Sequence, residues 1–405
     1  MRRATVSVIT ILTATNLALL GQSVVRPRAR DIGLAPGTLA TGPLNAITDV
    51  AGVRVGQTTV IGGANVRTGV TAVLPHGGNL FQEKVPGAVF VGNAFGKLAG
   101  STQVEELGTI ETPIVLTNTL AVGTAMDAVV RWTLAEPANA NVRSVNALVG
   151  ETNDSTLNDI RSLPVTREHV ISAITGAKDG AVDEGAVGAG TGTIAFGWKG
   201  GIGTSSRVVN RRRTLNGQPL PDIRATVGVL VQTNFGGKLT MGGVPIWKEI
   251  TPGSQGTKAP RVQGARVAGD QGAISADGSC MIIVATDAPL DARDLKRLAA
   301  RAVFALGRTG STYSNGSGDF AIAFSTFAGN RVTSAAGPQA RTTLPTDEVS
   351  ALFEAALDAT EEAVYNSLLK AADTTGNGRT VQALPIDRLK ELLTRKHPSD
   401  GGPGL

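Results

Sequence analysis

The chain of 405 residues has one cysteine, three histidines and few aromatic side chains. The single cysteine, Cys280, excludes a disulfide within the chain and every CxxC metal or redox pair. His76, His169 and His397 lie far apart, and no HExxH occurs, which removes a zincin-type site. No GxSxG elbow is present either. Aromatics make up only 4% of the residues, so nucleic acid bases would find few stacking partners. The basic residues are dispersed apart from Arg211-Arg212-Arg213, which reads as a solvated loop despite a formal charge of +5. The sequence asks for no metal, no cofactor and no nucleic acid partner.

What it does have is 51 glycines and 41% apolar residues, so the core is built from Ala, Val, Leu and Ile around many tight turns. The length suffices for one large domain. Arg2-Arg3 precede an apolar stretch from Val6 to Leu20, and Gly21-Gln22-Ser23 offers a small-x-small cut. That is the layout of a secretory signal over residues 1–23, with a cut as late as 29 the alternative. The stretch is short and diluted by threonines, and the rest shows no membrane-spanning run. Export follows, to the periplasm in a Gram-negative host.

Along the chain, "LNAITDVAGVRVGQTTV" alternates as strand, turn, strand. Ile114 to Leu116, "SVNALVG", "ATVGVLVQTNFG", Met281 to Ala285 and Phe320 to Phe324 read as buried strands. Helices are predicted at Thr102 to Leu107, Val122 to Leu134, after a Thr166 cap, over "DAPLDARDLKRLAARAVFALG" from Asp287 with Gly307 as the stop, from Asp347 to Ala371, and at Ile386 to Leu393. The stretch 251–278 is rich in glycine and proline and has little periodicity, an unusually long internal loop. Strands apolar on both faces need cover on both sides. They predict an α/β (α+β) fold, a layered αββα sandwich.

Polar residues recur at strand ends: Glu151 with Asn153, Asn234, Ser279, and Ser317 with Asp319. Strand ends are rigid mounts for a site, although each residue alone also reads as an ordinary turn. A serine nucleophile needs a base, and no histidine is near in sequence. Cleavage of the Gly278–Ser279 bond would supply one, because Ser279 would then carry a free α-amine with a reference pKa of about 7.7–8. Gly278 offers the backbone freedom for the hydroxyl to attack the preceding carbonyl. Cys280 reads as a core residue, His169 as an ordinary helix residue, and Lys97 as either a surface charge or part of a pocket.

The segments "NAITDVAGVRVGQTT", "AVFVGNAFGKLAGSTQVEELGTIETPIVLTNTLAVG", "VGETND", "GAVGAGTGT", "VLVQTNFG", "DGSCMIIVATDAPL" and "GRTGSTYSNGSGDF" together resemble the self-processing L-aminopeptidase/D-esterase-amidases and β-peptidyl aminopeptidases. The resemblance covers nearly the whole chain after the signal, and the exported start is closest to the β-peptidyl branch. It implies an N-terminal-nucleophile-hydrolase-like architecture with its own topology. It implies an α chain, 24–278, and a β chain, 279–405, released by self-cleavage and forming one domain. Ser279 would be the nucleophile, Asn234 the side-chain oxyanion donor and Glu151 the carboxylate that binds the substrate amine. Ser317 and Asp319 would orient the nucleophile, with Asp in place of the longer Glu of the β-peptidyl members. Asn153 lies where another residue assists in some members. The implied substrates are short peptides, amides or esters with a free amine, β-alanine and some α-amino acids among the residues removed. The implied assembly is a homo-oligomer of αβ units. Two other readings stand beside this one: an acyltransferase using the same acyl-enzyme, and a non-catalytic exported binding protein.

Overall fold

The computed structural model describes residues 25–215, 218–253, 278–335 and 337–396. The expected signal at 1–23 and most of the stretch 251–278, expected as a loop, lie outside the described residues. In chain order the main strands are β1 (Arg54–Gly62), β2 (Val66–Leu74), β3 (Glu83–Ala94), β4 (Ile114–Asn118), β5 (Leu148–Thr152), β6 (Ile202–Leu215), β7 (Gln218–Asn234), β8 (Ser279–Thr286) and β9 (Gly318–Ser325). The main helices are α1 (Val122–Ala135), α2 (Arg167–Thr175), α3 (Ala292–Thr309), α4 (Ser350–Leu369) and α5 (Ile386–Lys396).

A five-stranded sheet runs β1-β2-β4-β5 and ends on the short strand Leu98–Ala99. A seven-stranded sheet runs β6-β7-β8-β9-β3, with two short strands paired to β3. Helices α1 and α2 cover the outer face of the first sheet, and α3 and α4 that of the second. The inner faces pack on each other, which gives the αββα sandwich expected from the doubly apolar strands.

Strand β8 shows why. All eight of its residues are buried. Cys280, Ile282 and Val284 point to the helices, while Met281, Ile283 and Ala285 point to the other sheet. Each fully buried Ile or Val contributes about 1.5–3 kcal/mol, so the strand that starts at Ser279 is firmly anchored. Strand β9 repeats the pattern, with Ala321 and Ala323 outward and Phe320, Ile322 and Phe324 inward. The two strands are parallel, and α3 supplies the long crossover that such a pair needs.

The expected stripe of α3, Leu295, Leu298, Ala299, Ala302 and Leu306, is buried. Its stop is Gly310 and not Gly307. Gly307 stays helical, and Gly310 takes the left-handed conformation (φ 95°) that closes the helix. Helix α4 begins at Ser350, after a short 3-10 turn over Thr346–Glu348, and buries polar residues that an apolar stripe does not foretell. Glu362 pairs with the fully buried Arg207 at 2.7 Å and with Arg30 at 3.0 Å. Arg26 donates to the carbonyls of Leu369 and Leu384, both at 2.7 Å. The first described residues are thereby tied into the helix layer. Among the described residues no helix is long and apolar enough to cross a membrane.

Candidate active site

Strands β7, β8 and β9 end together, and their register sets Asn234, Ser279 and Gly318 side by side. Ser279 shares the inward face with Met281 and Ile283, and Asn234 shares it with Leu230. Both are almost fully buried. The Gly318 N–H donates to Ser279 Oγ at 3.3 Å and to the Gly278 carbonyl at 3.2 Å. One backbone donor thus spans the hydroxyl and the carbonyl of the bond just before it. Gly278 also lies so close to the Asn234 carbonyl that a Cβ there would overlap it. This close approach is reason enough for a glycine at 278.

Asn234 is held at both ends of its amide. Its Oδ1 accepts from the Ile194 N–H at 2.9 Å, and its Nδ2 donates to the Asn153 carbonyl at 3.0 Å. The acceptor side is fixed by a backbone donor, so the amide orientation is fixed too. An amide nitrogen carries two hydrogens, which leaves one for a ligand beside Ser279. The Asn153 side chain caps the Ser155 N–H at 3.0 Å, and only its backbone reaches the site.

Ser317 Oγ donates to Asp319 Oδ1 at 2.9 Å. Asp319 lies on the helix side of the sheet, paired with Cys280, and its Oδ2 is buried with no partner. Burial pushes its pKa up to about 6, partly offset by the Ser317 hydroxyl. The same burial raises the Cys280 thiol well above its usual range, which suits a core residue. His169 closes the Thr166 cap of α2, accepting from the Thr166 N–H at 3.1 Å. His76 is engaged by the Glu83 carbonyl at 2.8 Å.

Glu151 is the last residue but one of β5 in the facing sheet and is buried. Its Oε1 accepts from the Lys97 N–H at 3.0 Å and its Oε2 from the Thr119 hydroxyl. The Lys97 ammonium stands 3.7 Å from Oε1 while its side chain is 57% exposed, so Lys97 sits at the mouth of the site. Two links fix this carboxylate relative to Ser279. Gln232, two residues before Asn234, donates across the sandwich to the Thr117 carbonyl at 3.2 Å and to the Thr152 hydroxyl at 2.9 Å. The segment Phe95-Gly96-Lys97 carries the chain from one sheet to the other. Its Phe95 N–H holds the Ser317 carbonyl at 3.1 Å, and its Lys97 N–H holds Glu151.

The structure therefore groups Asn234, Gly278 and Ser279, sets Ser317 and Asp319 at the neighbouring strand end, and brings Glu151 to the same end from the other sheet. Sequence reasoning missed Gly318, Thr119 and Gln232. Gly318 lies between two residues that were singled out, but a backbone donor leaves no side-chain signal. Among the described residues no cluster of three or more His, Cys, Asp or Glu could hold a metal ion. The arrangement can do acyl chemistry at a serine, with polar hydrogens on both sides of the reacting position.

Residues 45–381 match the model of peptidase family S58. The chain is 42% identical over 390 residues to the β-peptidyl aminopeptidase BapA of Sphingosinicella microcystinivorans, covering 91% of this chain and 92% of that protein. It is 40% identical over 393 residues to the enzyme of the same name from Sphingosinicella xenopeptidilytica, covering 93% of each. Among solved structures it is similar to the L-aminopeptidase D-Ala-esterase/amidase of Ochrobactrum anthropi, a prototype of the serine aminopeptidases and a variant of the Ntn-hydrolase fold. That match has a TM-score of 0.79 and 37% identity, and covers 92% of this chain and 99% of the other. A β-aminopeptidase from a Burkholderia species gives a TM-score of 0.78 at 35% identity, covering 93% of this chain and 100% of the other.

Proposed function

The chain belongs to peptidase family S58 and is a serine aminopeptidase, and from that premise we propose that it cuts itself at Gly278–Ser279 and then removes N-terminal β-amino acids, with some α-amino acids, from short peptides, amides and esters. The observation that carries this reading is the line Asn234–Ser279–Gly318 at the end of an anchored strand.

In the uncut chain Ser279 Oγ attacks the Gly278 carbonyl carbon, and the oxygen of that carbonyl is already bonded by the Gly318 N–H. The amide nitrogen leaves as the α-amine of Ser279, and water hydrolyses the resulting ester. The free amine, with a reference pKa of about 7.7–8, is neutral often enough to act as base for its own hydroxyl. Glu151 binds the substrate ammonium and so restricts the enzyme to chain ends. Ser279 Oγ attacks the substrate carbonyl, and the oxyanion takes hydrogen bonds from Asn234 Nδ2 and the Gly318 N–H. Such donors act on charge that develops only in the transition state. The leaving amine takes the proton, and water then releases the acyl group. Ser317 and Asp319 fix the end of β9, which carries Gly318.

The preference for β-residues rests on the relatives named above. In this proposal the mature chain starts before Arg26. Arg26 and Arg28 are bonded into the fold, Arg28 pairing with Glu184 at 2.8 Å, which favours removal of residues 1–23 over a cut at 29. Export to the periplasm and assembly of αβ units into an oligomer complete the proposal. Exposed Phe95 and Phe304 are candidate contacts between units.

The test is intact mass spectrometry of the purified protein beside Ser279→Ala. The expected result is two chains in the wild type, the smaller beginning at Ser279, and an uncut variant without activity. A single stable wild-type chain would overturn the proposal, because the base would then be missing.

A further inference from the structure

The mechanism leaves unused two buried ionisable side chains, Lys199 and Asp154, beneath the oxyanion side of the site. Lys199 is fully buried, and its ammonium donates to the carbonyls of Gly190 and Thr193 at 2.9 Å and of Gly200 at 2.8 Å. Three acceptors use every hydrogen of a lysine ammonium. Burial lowers the pKa of the Lys199 ammonium to about 7, and the opposing charge that holds it up is Asp154, also buried, which accepts from Asn158 at 2.9 Å. The Asp154 Oδ2 has no hydrogen-bond partner.

Two peptide groups connect this pair to Asn234. The Thr193 carbonyl, gripped by Lys199, and the Ile194 N–H, bonded to Asn234 Oδ1, belong to one planar peptide unit. The Asn153 carbonyl, which receives Asn234 Nδ2, belongs to the peptide unit that enters Asp154. One anchor of the Asn234 amide is therefore gripped by Lys199 through a shared peptide, and the other is the peptide that leads into Asp154. A cation on the carbonyl oxygen of a peptide makes its N–H a stronger donor, and hydrogen bonds in a chain polarise one another. The series runs from the Lys199 ammonium through the Thr193–Ile194 peptide to the Asn234 amide, whose remaining Nδ2 hydrogen faces the reacting position.

We propose that Lys199, with Asp154 as its counter-ion, is a positioning residue for the oxyanion donor: its charge is relayed through the Thr193–Ile194 peptide to the amide of Asn234. The inference rests on the reading of Asn234 given above. It assigns Lys199 no contact with substrate. Its effect belongs to the transition state, so it falls on kcat and spares KM.

The test compares Lys199→Met, the paired replacement Lys199→Met/Asp154→Asn, Asn234→Ala, and each Lys199 variant combined with Asn234→Ala, using β-alanyl p-nitroanilide. The paired replacement leaves no lone charge buried. Gly318 serves the self-cleavage in this reading, so the variants are expected to process. The expected result is a kcat about tenfold lower in both Lys199 variants, a KM within about twofold, and less than about a twofold further loss when Asn234 is already Ala. Wild-type kcat in the folded paired variant would overturn the inference, as would losses that multiply with that of Asn234→Ala. A paired variant that fails to fold or to process, while Asn234→Ala does both, would assign the pair a structural role instead. Wild-type kcat in Asn234→Ala would remove the oxyanion reading itself, and this inference with it.

Discussion

The two sheets meet at one end of the sandwich and contribute different kinds of group there. The seven-stranded sheet offers a hydroxyl, an amide and a backbone N–H on three adjacent strand ends, locked by register. The five-stranded sheet offers one carboxylate, held by a threonine hydroxyl and by a backbone N–H from the crossing segment. The first set is rigid because its spacing is that of a sheet. The second depends on a strap and on Gln232 for its distance from the first. In the proposed mechanism the seven-stranded sheet does the bond chemistry and the five-stranded sheet chooses what is brought to it. Changes to the first should act on kcat, and changes to the second on KM and selectivity.

The largest effect expected tests the first half of that division. Asn234→Ala should lower kcat by about 10²–10³-fold with little change in KM, the usual loss for one oxyanion donor. Steady-state kinetics on the processed enzyme checks this. A loss carried mainly by KM would move Asn234 to the substrate-choosing side.

Asp319 sharpens the comparison because it stands behind the chemistry, on the helix side. Its carboxyl lies near 6 in the fold because of burial, against about 3.9 in an unfolded chain. Between those values the native state binds more protons than the unfolded state, so stability falls as pH rises from about 4 to 6. The full contribution is on the order of 3 kcal/mol. Asp154, also near 6, acts in the same window. In the uncut Ser279→Ala background, Asp319→Asn should therefore gain on its parent in urea unfolding at pH 6.5, and the gain should shrink towards pH 4. A difference that does not change with pH would show that the carboxyl is not titrating there.

Glu151→Gln tests the second half. Losing the charge from a hydrogen bond costs about 1.5–3 kcal/mol, so KM for amine substrates should rise about 10–100-fold while kcat changes little. A kcat that collapses as in Asn234→Ala would erase the distinction between the sheets.

Much of the seven-stranded sheet was legible in the sequence. "CMIIVAT" and "DFAIAFS" are apolar at every position but their ends, which forces cover on both faces and leaves Ser279 and Asp319 where each strand begins. The polar end of "VGETND" marked Glu151 in the same way. The partners were not legible. Ile194 and Lys199 lie in a glycine-dense stretch with no period to read, and the contact of Ile194 with Asn234 depends on how distant segments come together in the fold. Lys97 illustrates the limit. Its main contribution to Glu151 is its backbone N–H, which any residue but proline could supply. The buried polar face of α4 was missed for a related reason, because Arg207 comes from a distant strand.

The smallest effect expected concerns the strap. A Cβ on Gly96 would lie 3.3 Å from Glu151 Oε1 and 3.3 Å from the Phe320 ring, wedged between the carboxylate and the sheet that carries Ser279. Both distances are tighter than ordinary van der Waals contact, so one neighbour must give by a few tenths of an ångström. Phe320 is packed into the core between the sheets, whereas Glu151 Oε1 is the far end of a flexible side chain beside a half-exposed lysine, so the carboxylate is the part that yields. Gly96→Ala should then lengthen the reach from Glu151 to Ser279. A β-residue places one more methylene between its amine and its carbonyl than an α-residue does, and a shift well under 1 Å already alters rates when the reacting atoms must be aligned. The ratio of kcat/KM for β-alanyl over alanyl p-nitroanilide should rise by about three- to tenfold. An equal fall for both substrates would mean that Gly96 only keeps the strap packed, and that the spacing between the sheets is set by Gln232.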